Sequence, residues 1–197
     1  MEGINKPIIR KRKELKIVSI YSRCLITKKI VLPFNSIGKN IHETIENTIK
    51  NSIEGKCIVE GYVKRNSTKI ISFSSGLVNA GNNVSFEVVF ECEICFPVEG
   101  MLIKCVAKNV NKAGIKADSA DESPSPIIVF IARDHSYNNQ NFADIKEGDK
   151  FIAKVIGQRF ELNDQNISII AEIVKSSSTQ LENQSVHTKN PKIVIED

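Results

Sequence analysis

The sequence predicts an α+β protein, in which a small N-terminal domain of antiparallel sheet plus one helix is followed by a five-stranded β-barrel. The first observation is an isoleucine at every fourth position from Ile37 to Ile53, a spacing typical of one amphipathic helix. The second is that the rest of the chain consists of short segments rich in β-branched residues, separated by turn-prone residues. With 197 residues and 41% apolar side chains, the chain is long enough for one or two domains with their own cores.

Along the chain, the predicted helix follows a strand-like segment. A step of four residues advances about 400° around a helix, so the five isoleucines drift over a band about 160° wide, which suits a face that packs on a sheet. Asn35 or Ser36 is expected to cap the start of this helix. Gly55 is expected to end it in the left-handed conformation, and Glu46 can pair with Lys50 on its exposed side.

The remaining elements of the first half are predicted strands. Residues Leu15–Leu32 form one or two strands ended by Pro33. Three strands follow the helix, at Lys56–Tyr62, Thr68–Phe73 and Val84–Phe96, with residues 74–83 as a loop.

The second half is predicted to be entirely β-structure. Its strands are expected at Met101–Val110, Gly114–Ala120, Ile127–Ala132, Lys150–Phe160 and Asn166–Val174, an arrangement typical of a small barrel of the OB type. The resulting domain boundaries are a basic flexible arm at 1–14, an N-terminal domain at 15–96, the barrel at 97–175 and a disordered tail at 176–197, whose beginning is Ser-rich and poor in apolar residues.

The charge distribution limits the function classes. Residues 1–16 contain six Lys or Arg and two Asp or Glu, which accounts for the net charge of +4. The rest of the chain is neutral, which argues against nucleic-acid capture over the whole surface. The longest apolar run, Ile127–Ala132, is far shorter than the ~20 residues of a membrane-spanning helix. The N-terminus has no secretion-signal pattern, so an intracellular protein without membrane contact is expected.

Motifs for catalysis or metal binding are not found. The three histidines, His42, His135 and His187, are isolated, and Cys92 and Cys95 lack further ligands at zinc-site spacing. The five cysteines are odd in number and scattered, which predicts free thiols. We therefore expect a protein without catalytic residues, metal or cofactor.

The barrel segments match a known pattern in order and spacing. The turn Val110-Asn111-Lys112-Ala113-Gly114, the segment Lys154–Arg159 and the following Asn163-Asp164 resemble an S1-type RNA-binding barrel. More narrowly, they resemble the larger stalk subunit of archaeal and eukaryotic RNA polymerases, the seventh subunit of polymerase II. In the N-terminal half, Pro33, Ile37-Gly38 and Glu54-Gly55 around the helix, and Phe96-Pro97 through Gly100 at the barrel border, follow the same family. The resemblance spans about residues 15–175.

The resemblance implies partners and binding surfaces. Family members pair with a small helical subunit, insert a tip loop into the polymerase core near the clamp, and expose the barrel to nascent RNA. The tip here is residues 72–83, with Phe73, Leu77 and Val78 as the expected core-docking residues. The aromatic and histidine positions that contact nucleic acid in S1 domains hold Ala113, Lys116 and Ala132, so RNA contact is expected to be weak and electrostatic. The basic residues expected to make it are Lys104, Lys108, Lys112, Lys116, Arg133, Lys154 and Arg159.

The function predicted from the sequence is therefore that of a non-catalytic stalk subunit of a DNA-directed RNA polymerase. The alternative is a free S1-type RNA-binding protein of translation or RNA decay. Heavy use of Ile, Lys and Asn suggests an A+T-rich genome and is compatible with a large DNA virus. The expected location is then the nucleus, or a cytoplasmic viral factory and the virion.

Overall fold

The computed structural model describes residues 19–134, 142 and 144–176. These residues form an antiparallel six-stranded sheet with one α-helix, followed by a closed five-stranded barrel. The predicted fold class is thus confirmed. The basic arm at 1–14 and, apart from Ser176, the tail at 176–197 lie outside the described residues. None of the helices within the described residues has the length and apolar character required to cross a membrane.

The N-terminal sheet is built around its longest internal strand. Its strands are β1 (Tyr21–Pro33), β2 (Cys57–Ile58), β3 (Gly61–Val63), β4 (Lys69–Phe73), β5 (Leu77–Asn79) and β6 (Asn83–Cys95). Strand β6 pairs with β1 over the full length of both, and its other edge pairs with β3, β4 and β5 in turn. All of these pairs are antiparallel.

Two sequence expectations for this sheet were wrong. The single strand expected at 56–62 is a hairpin of β2 and β3, because Gly61 has φ +129°, a conformation that breaks a regular strand and that residues with a Cβ rarely adopt. The loop expected at 74–83 contains the short strand β5, which pairs with the beginning of β6.

The helix α1 (Ile41–Ile53) covers one face of the sheet. Its residues Ile45, Ile49 and Ile53 are fully buried, as the four-residue spacing predicted. Gly55 has φ +71° and supplies the expected left-handed stop.

The expected start of the helix was wrong. Residues Phe34–Ser36 form a 3-10 turn held to the sheet by a hydrogen bond from the Phe34 amide to the Asn82 carbonyl at 2.9 Å. Ile37 is then extended, and the helix N-cap is Asn40. Because Asn35 and Ser36 belong to this turn, neither of them can cap α1.

The barrel consists of β7 (Leu102–Val110), β8 (Gly114–Ser119), β9 (Ile127–Ala132), β10 (Lys150–Arg159) and β11 (Ile167–Ser176). The strands close in the order β10-β11-β9-β8-β7, and β11 runs parallel to β9. Gly114 is required where β8 meets β9, since a Cβ there would lie 2.2 Å from the Ile131 carbonyl oxygen. Alternate residues of each strand fill the interior, and their neighbours face outward.

The barrel packs directly on the base of the sheet. Ile20, Cys57, Tyr62 and Cys95 of the N-terminal half belong to the same buried cluster as the barrel core. Two backbone hydrogen bonds of 2.8 Å join the halves, one from the Cys57 amide to the Asp164 carbonyl and one from the Asn163 amide to the Cys57 carbonyl. The two halves therefore share one hydrophobic core at their junction.

Candidate nucleic-acid and partner interfaces

The outer surface of the barrel carries the basic residues that the sequence singled out. Lys116 lies at the middle of β8, and the β7–β8 turn that holds Lys112 lies against the end of β9, where the Arg133 amide bonds to the Ala113 carbonyl at 3.1 Å. Lys104 and Lys154 lie on the neighbouring strands β7 and β10, where Lys104 is opposite Ile152 and Lys154 is opposite Leu102. These basic residues therefore form two groups rather than one continuous patch. One group contains Lys112, Lys116 and Arg133, and the other contains Lys104 and Lys154.

Several of these side chains already have acidic partners. Lys108 lies 4.0 Å from Asp118, Lys154 lies 2.9 Å from Glu172, and Arg159 lies 3.1 Å from Glu161. The side chains in these pairs are between 30% and 83% exposed, so water screens the attraction and each pair is weak.

The remaining basic residues are less constrained. Within the described part of the chain, Lys104, Lys112 and Lys116 have no carboxylate within ion-pair distance. The Arg133 guanidinium lies over the Phe142 ring at 5.5 Å. Lys112 and Lys116 are therefore free to neutralise a phosphate.

Phe130 is a surface residue that sequence reasoning missed. Its ring is 44% exposed although Val129 and Ile131 beside it are buried. It lies opposite Lys116 on β8 and opposite Ile170 on β11. The apolar run 127–132 contains no polar residue to reveal its outward face, so alternation could not identify Phe130.

Two grooves flank the Phe130 ring. One, of about 380 Å³, is lined by Asn109, Asn111 and Lys116 among others. The second, of about 420 Å³, is lined by Gly157, Arg159 and Ile170 together with Phe130. Ala113 and Ala132, which the resemblance matches to ring positions of S1 domains, also line the first groove.

The tip of the sheet holds the expected core-docking residues, but in two different environments. Leu77 and Val78 on β5 are 65% and 70% exposed. Phe73 is instead partly buried, with its ring edge-on to Phe86 at 6.3 Å. Phe34, on the 3-10 turn bonded to the β5–β6 connection, is 62% exposed and was not recognised from the sequence.

A further exposed apolar surface lies where the sheet meets the barrel. We call it the junction surface and define it by the exposed residues Val59, Phe96, Val98 and Leu162 and the partly buried Phe160. Phe96 stands edge-on to Phe160 at 6.2 Å, and the bond from the Asn163 amide to the Cys57 carbonyl brings the segment after β10 to the β2–β3 hairpin. Three exposed acids, Glu60, Glu99 and Glu161, adjoin four of these residues in sequence. The surface is therefore apolar with an acidic border.

A polar cluster secures the junction on the side of Tyr21. The Tyr21 hydroxyl donates to the Glu122 carboxylate, and the Lys64 ammonium contacts Glu122 at 3.2 Å and Glu93 at 2.8 Å. The same ammonium lies 4.7 Å from the centre of the Tyr21 ring. Burial, and then the bond to Glu122, raises the pKa of Tyr21 far above its ordinary value.

The titratable groups of the described residues do not form a reactive centre. Burial raises the pKa of Cys57 and Cys92 to about 11 and of Cys95 and Cys105 to about 12, which keeps these thiols protonated and poorly nucleophilic. Within the described ranges, no three His, Cys, Asp or Glu side chains are placed to hold a metal ion. His135 and His187 lie outside the described residues.

The comparisons with known proteins agree with the architecture. No family model matches the chain. It is 25% identical over 173 residues to a putative DNA-directed RNA polymerase subunit, L376, of Acanthamoeba polyphaga mimivirus, with 79% of this chain and 83% of the relative covered.

Two plant proteins are also similar. Subunit 7 of DNA-directed RNA polymerase II from Arabidopsis thaliana is 28% identical over 98 residues, and subunit RPB7 from Glycine max is 27% identical over 97 residues. These two matches cover 49% and 48% of this chain and about half of the plant proteins, 52% in each case. The resemblance stated from the sequence motifs, including its viral form, is confirmed by these relatives.

Proposed function

We propose that this chain, a homologue of subunit 7 of RNA polymerase II with a relative in a large DNA virus, is a non-catalytic stalk subunit of a multisubunit DNA-directed RNA polymerase. The match to the mimivirus polymerase subunit carries the proposal, because 79% of the chain is covered and the alignment must therefore include parts of both the sheet and the barrel. A shared barrel alone would be weaker support, since barrels of this type occur with many functions.

The tip of the sheet is proposed to dock on the polymerase core near the clamp. Leu77 and Val78 expose apolar surface at the end of the sheet away from the barrel, and Phe34, whose amide bonds to the β5–β6 connection, adds an exposed aromatic ring. Buried aromatic and aliphatic anchors of this kind dominate many protein interfaces. Phe73, which packs inside the domain, supports the tip from beneath and is not proposed to touch the core directly.

The junction surface is proposed to hold the small helical partner subunit. It combines exposed Phe96, Val98 and Leu162 with adjacent acids, so its complement is a helix with apolar residues and flanking Lys or Arg. A partner bound here would contact both halves.

The barrel is proposed to contact nascent RNA weakly through its outward basic residues. Lys112 and Lys116 are unpaired within the described residues, whereas Lys108, Lys154 and Arg159 would have to exchange a carboxylate for a phosphate. The neutral body of the protein then limits binding to a few phosphates. The proposed site of action is the nucleus or, for a viral protein, the cytoplasmic factory and the virion.

The competing proposal is a free S1-type RNA-binding protein. It would require RNA affinity high enough to act without a larger assembly. The three positions that hold Ala113, Lys116 and Ala132 lack rings, which favours the polymerase subunit.

Affinity purification of the tagged chain from cells or virions that contain it tests the proposal. Recovery of the two largest polymerase subunits in stoichiometric amounts is the expected result. Recovery of ribosomes or of an exonuclease complex without polymerase would overturn it in favour of the competing function.

A further inference from the structure

A row of outward residues crosses four strands of the barrel at one level. The pairing register places Lys116 on β8 opposite Phe130 on β9, Phe130 opposite Ile170 on β11, and Ile170 opposite Gly157 on β10. With strands about 4.8 Å apart, this row is about 14 Å long. Phe130 and Ile170, 44% and 51% exposed, form its apolar centre. We call these two side chains the Phe130 shelf.

Gly157 leaves the far end of the row open. A Cβ at Gly157 would meet no atom within 4 Å, and its φ is not in the left-handed region, so neither packing nor backbone conformation requires glycine there. The missing side chain opens the groove of about 420 Å³ that runs between Phe130, Ile170 and Arg159. The shelf therefore has a flat aromatic surface with free space on both sides.

The charges around the shelf favour an anionic occupant. Lys116 adjoins the ring directly, Lys112 and Arg133 lie at the nearby end of β8 and β9, and Arg159 lines the second groove. Two acids lie near it: Glu172 pairs with Lys154, and Glu161 pairs with Arg159 at an exposed site, so Arg159 must exchange this carboxylate for a phosphate. Asn109 and Asn111 line the first groove; the Asn111 oxygen already accepts from the Ala113 and Gly114 amides, whereas the Asn109 side-chain nitrogen can donate a hydrogen bond.

We propose that the Phe130 shelf is a stacking site for an unpaired base of single-stranded RNA, with Lys116 and Arg159 neutralising the phosphates on either side. This inference rests on the proposed function and specifies the ligand of its barrel. It replaces the purely electrostatic contact expected from the sequence. Stacking on an aromatic ring accepts any base, because every base has a π-face. Binding should therefore depend little on sequence and should be weaker for duplex RNA, whose bases are not accessible.

Substitutions at two positions test the shelf in the full-length protein. Phe130→Leu keeps an apolar side chain and removes the ring, and Phe130→Trp keeps a ring. Ile71→Ala is the control, because Ile71 is an exposed apolar residue of strand β4 that lies outside the proposed interfaces. Gly157→Leu fills the second groove without altering Phe130. Thermal unfolding of each variant verifies that the fold is retained.

Fluorescence anisotropy with a short single-stranded homouridine RNA at low salt is the measurement. Phe130→Leu should weaken binding by between about 5-fold and about 150-fold, Gly157→Leu should weaken it several-fold, and Phe130→Trp and Ile71→Ala should bind as the parent does. Lys116→Gln should lower the slope of log affinity against log salt by about 0.7.

Unchanged RNA affinity in folded Phe130→Leu would overturn the inference. If that variant binds RNA normally but loses a polymerase subunit during purification, the shelf is a protein contact instead, which also overturns it. Failure of the proposed function is distinguishable, because the parent protein would then bind RNA through the shelf but purify without polymerase subunits.

Discussion

The Tyr21 hydroxyl donates a hydrogen bond to the Glu122 carboxylate, joining the first strand of the sheet to a barrel loop 101 residues further along the chain. Lys64 contacts the same carboxylate at 3.2 Å from a third segment. Together with the shared core around Cys57 and Tyr62, this cluster holds the two halves in one orientation. A rigid junction would let forces at the barrel reach the tip.

Removing the Glu122 carboxylate should destabilise the protein measurably. Glu122→Ala breaks a charged hydrogen bond and an ion pair at a partly buried site, so a loss of about 1 kcal/mol is expected after allowance for solvent screening. Glu161→Ala is the matched control, because its pair with Arg159 is largely exposed and should contribute almost nothing. Urea unfolding of the two variants is the measurement. Equal stability of both would contradict the role given to Glu122.

The same contact should make stability sensitive to alkaline pH. The pKa of Tyr21 is raised by burial and by Glu122. Below about pH 10 the tyrosine is protonated in both the folded and the unfolded state, so this contribution is fully present there. Above that pH the unfolded state loses the proton first and stability falls.

Tyr21→Phe isolates this effect from the buried thiols, whose raised pKa values also reduce stability at high pH. Above about pH 10, the free energy of unfolding should fall less steeply with pH in Tyr21→Phe than in the parent. The difference between the two slopes should correspond to about one proton. Urea titrations across the alkaline range are the measurement, and parallel pH profiles would refute the assignment.

The repeating patterns were sufficient to predict the fold, whereas single turns were not. The isoleucine spacing identified α1 because a helix brings about every fourth residue to the same face, and Ile45, Ile49 and Ile53 are buried on that face. The start of α1 was mispredicted because the turn before it is held by a hydrogen bond between Phe34 and Asn82. These two residues are far apart in sequence. No local pattern could reveal that bond.

The candidate sites show the same division. The basic residues of the barrel were found from the sequence because charge is visible in composition. Phe130 and Leu162 were missed because each lies beside other apolar residues, and only tertiary packing decides which of them stays exposed. Phe73 was assigned to core docking from the family resemblance and as an apolar residue in a polar loop, and the structure shows that its ring packs against Phe86.

Thiol reactivity should distinguish one cysteine from the other four. Burial raises the pKa of Cys57, Cys92, Cys95 and Cys105 to between about 11 and about 12, while Cys24 is the only partly exposed cysteine of the five. An aromatic disulfide reagent at neutral pH should therefore modify one thiol rapidly in the folded protein and five after denaturation. Cys24→Ser should abolish the rapid phase. A rapid phase that persists in this variant would contradict the burial of the other thiols.

Charge placed at the tip should release the protein from the polymerase. Leu77→Asp with Val78→Asp introduces two carboxylates where the proposed interface requires dehydrated apolar surface. Both positions are exposed, so folding should be unaffected. Ile71→Asp, also exposed but on the neighbouring strand β4, is the control. Co-purification with the largest polymerase subunits should be lost in the double variant and retained in the control. Retention in both would show that the tip is not the anchor.

Reversing the border charge of the junction surface should weaken the helical partner selectively. Glu99→Lys and Glu161→Lys place bases where a basic partner helix is expected, and Leu162→Asp disrupts the apolar centre. Each should lower recovery of a small co-purifying subunit by at least about tenfold while the large subunits remain, since the tip is unchanged. Glu87→Lys, an exposed acid on the outer side of β6, is the control. Quantitative mass spectrometry of the purified complexes is the measurement. Loss of the large subunits in parallel with the small one would place the core contact, rather than the partner, on the junction surface.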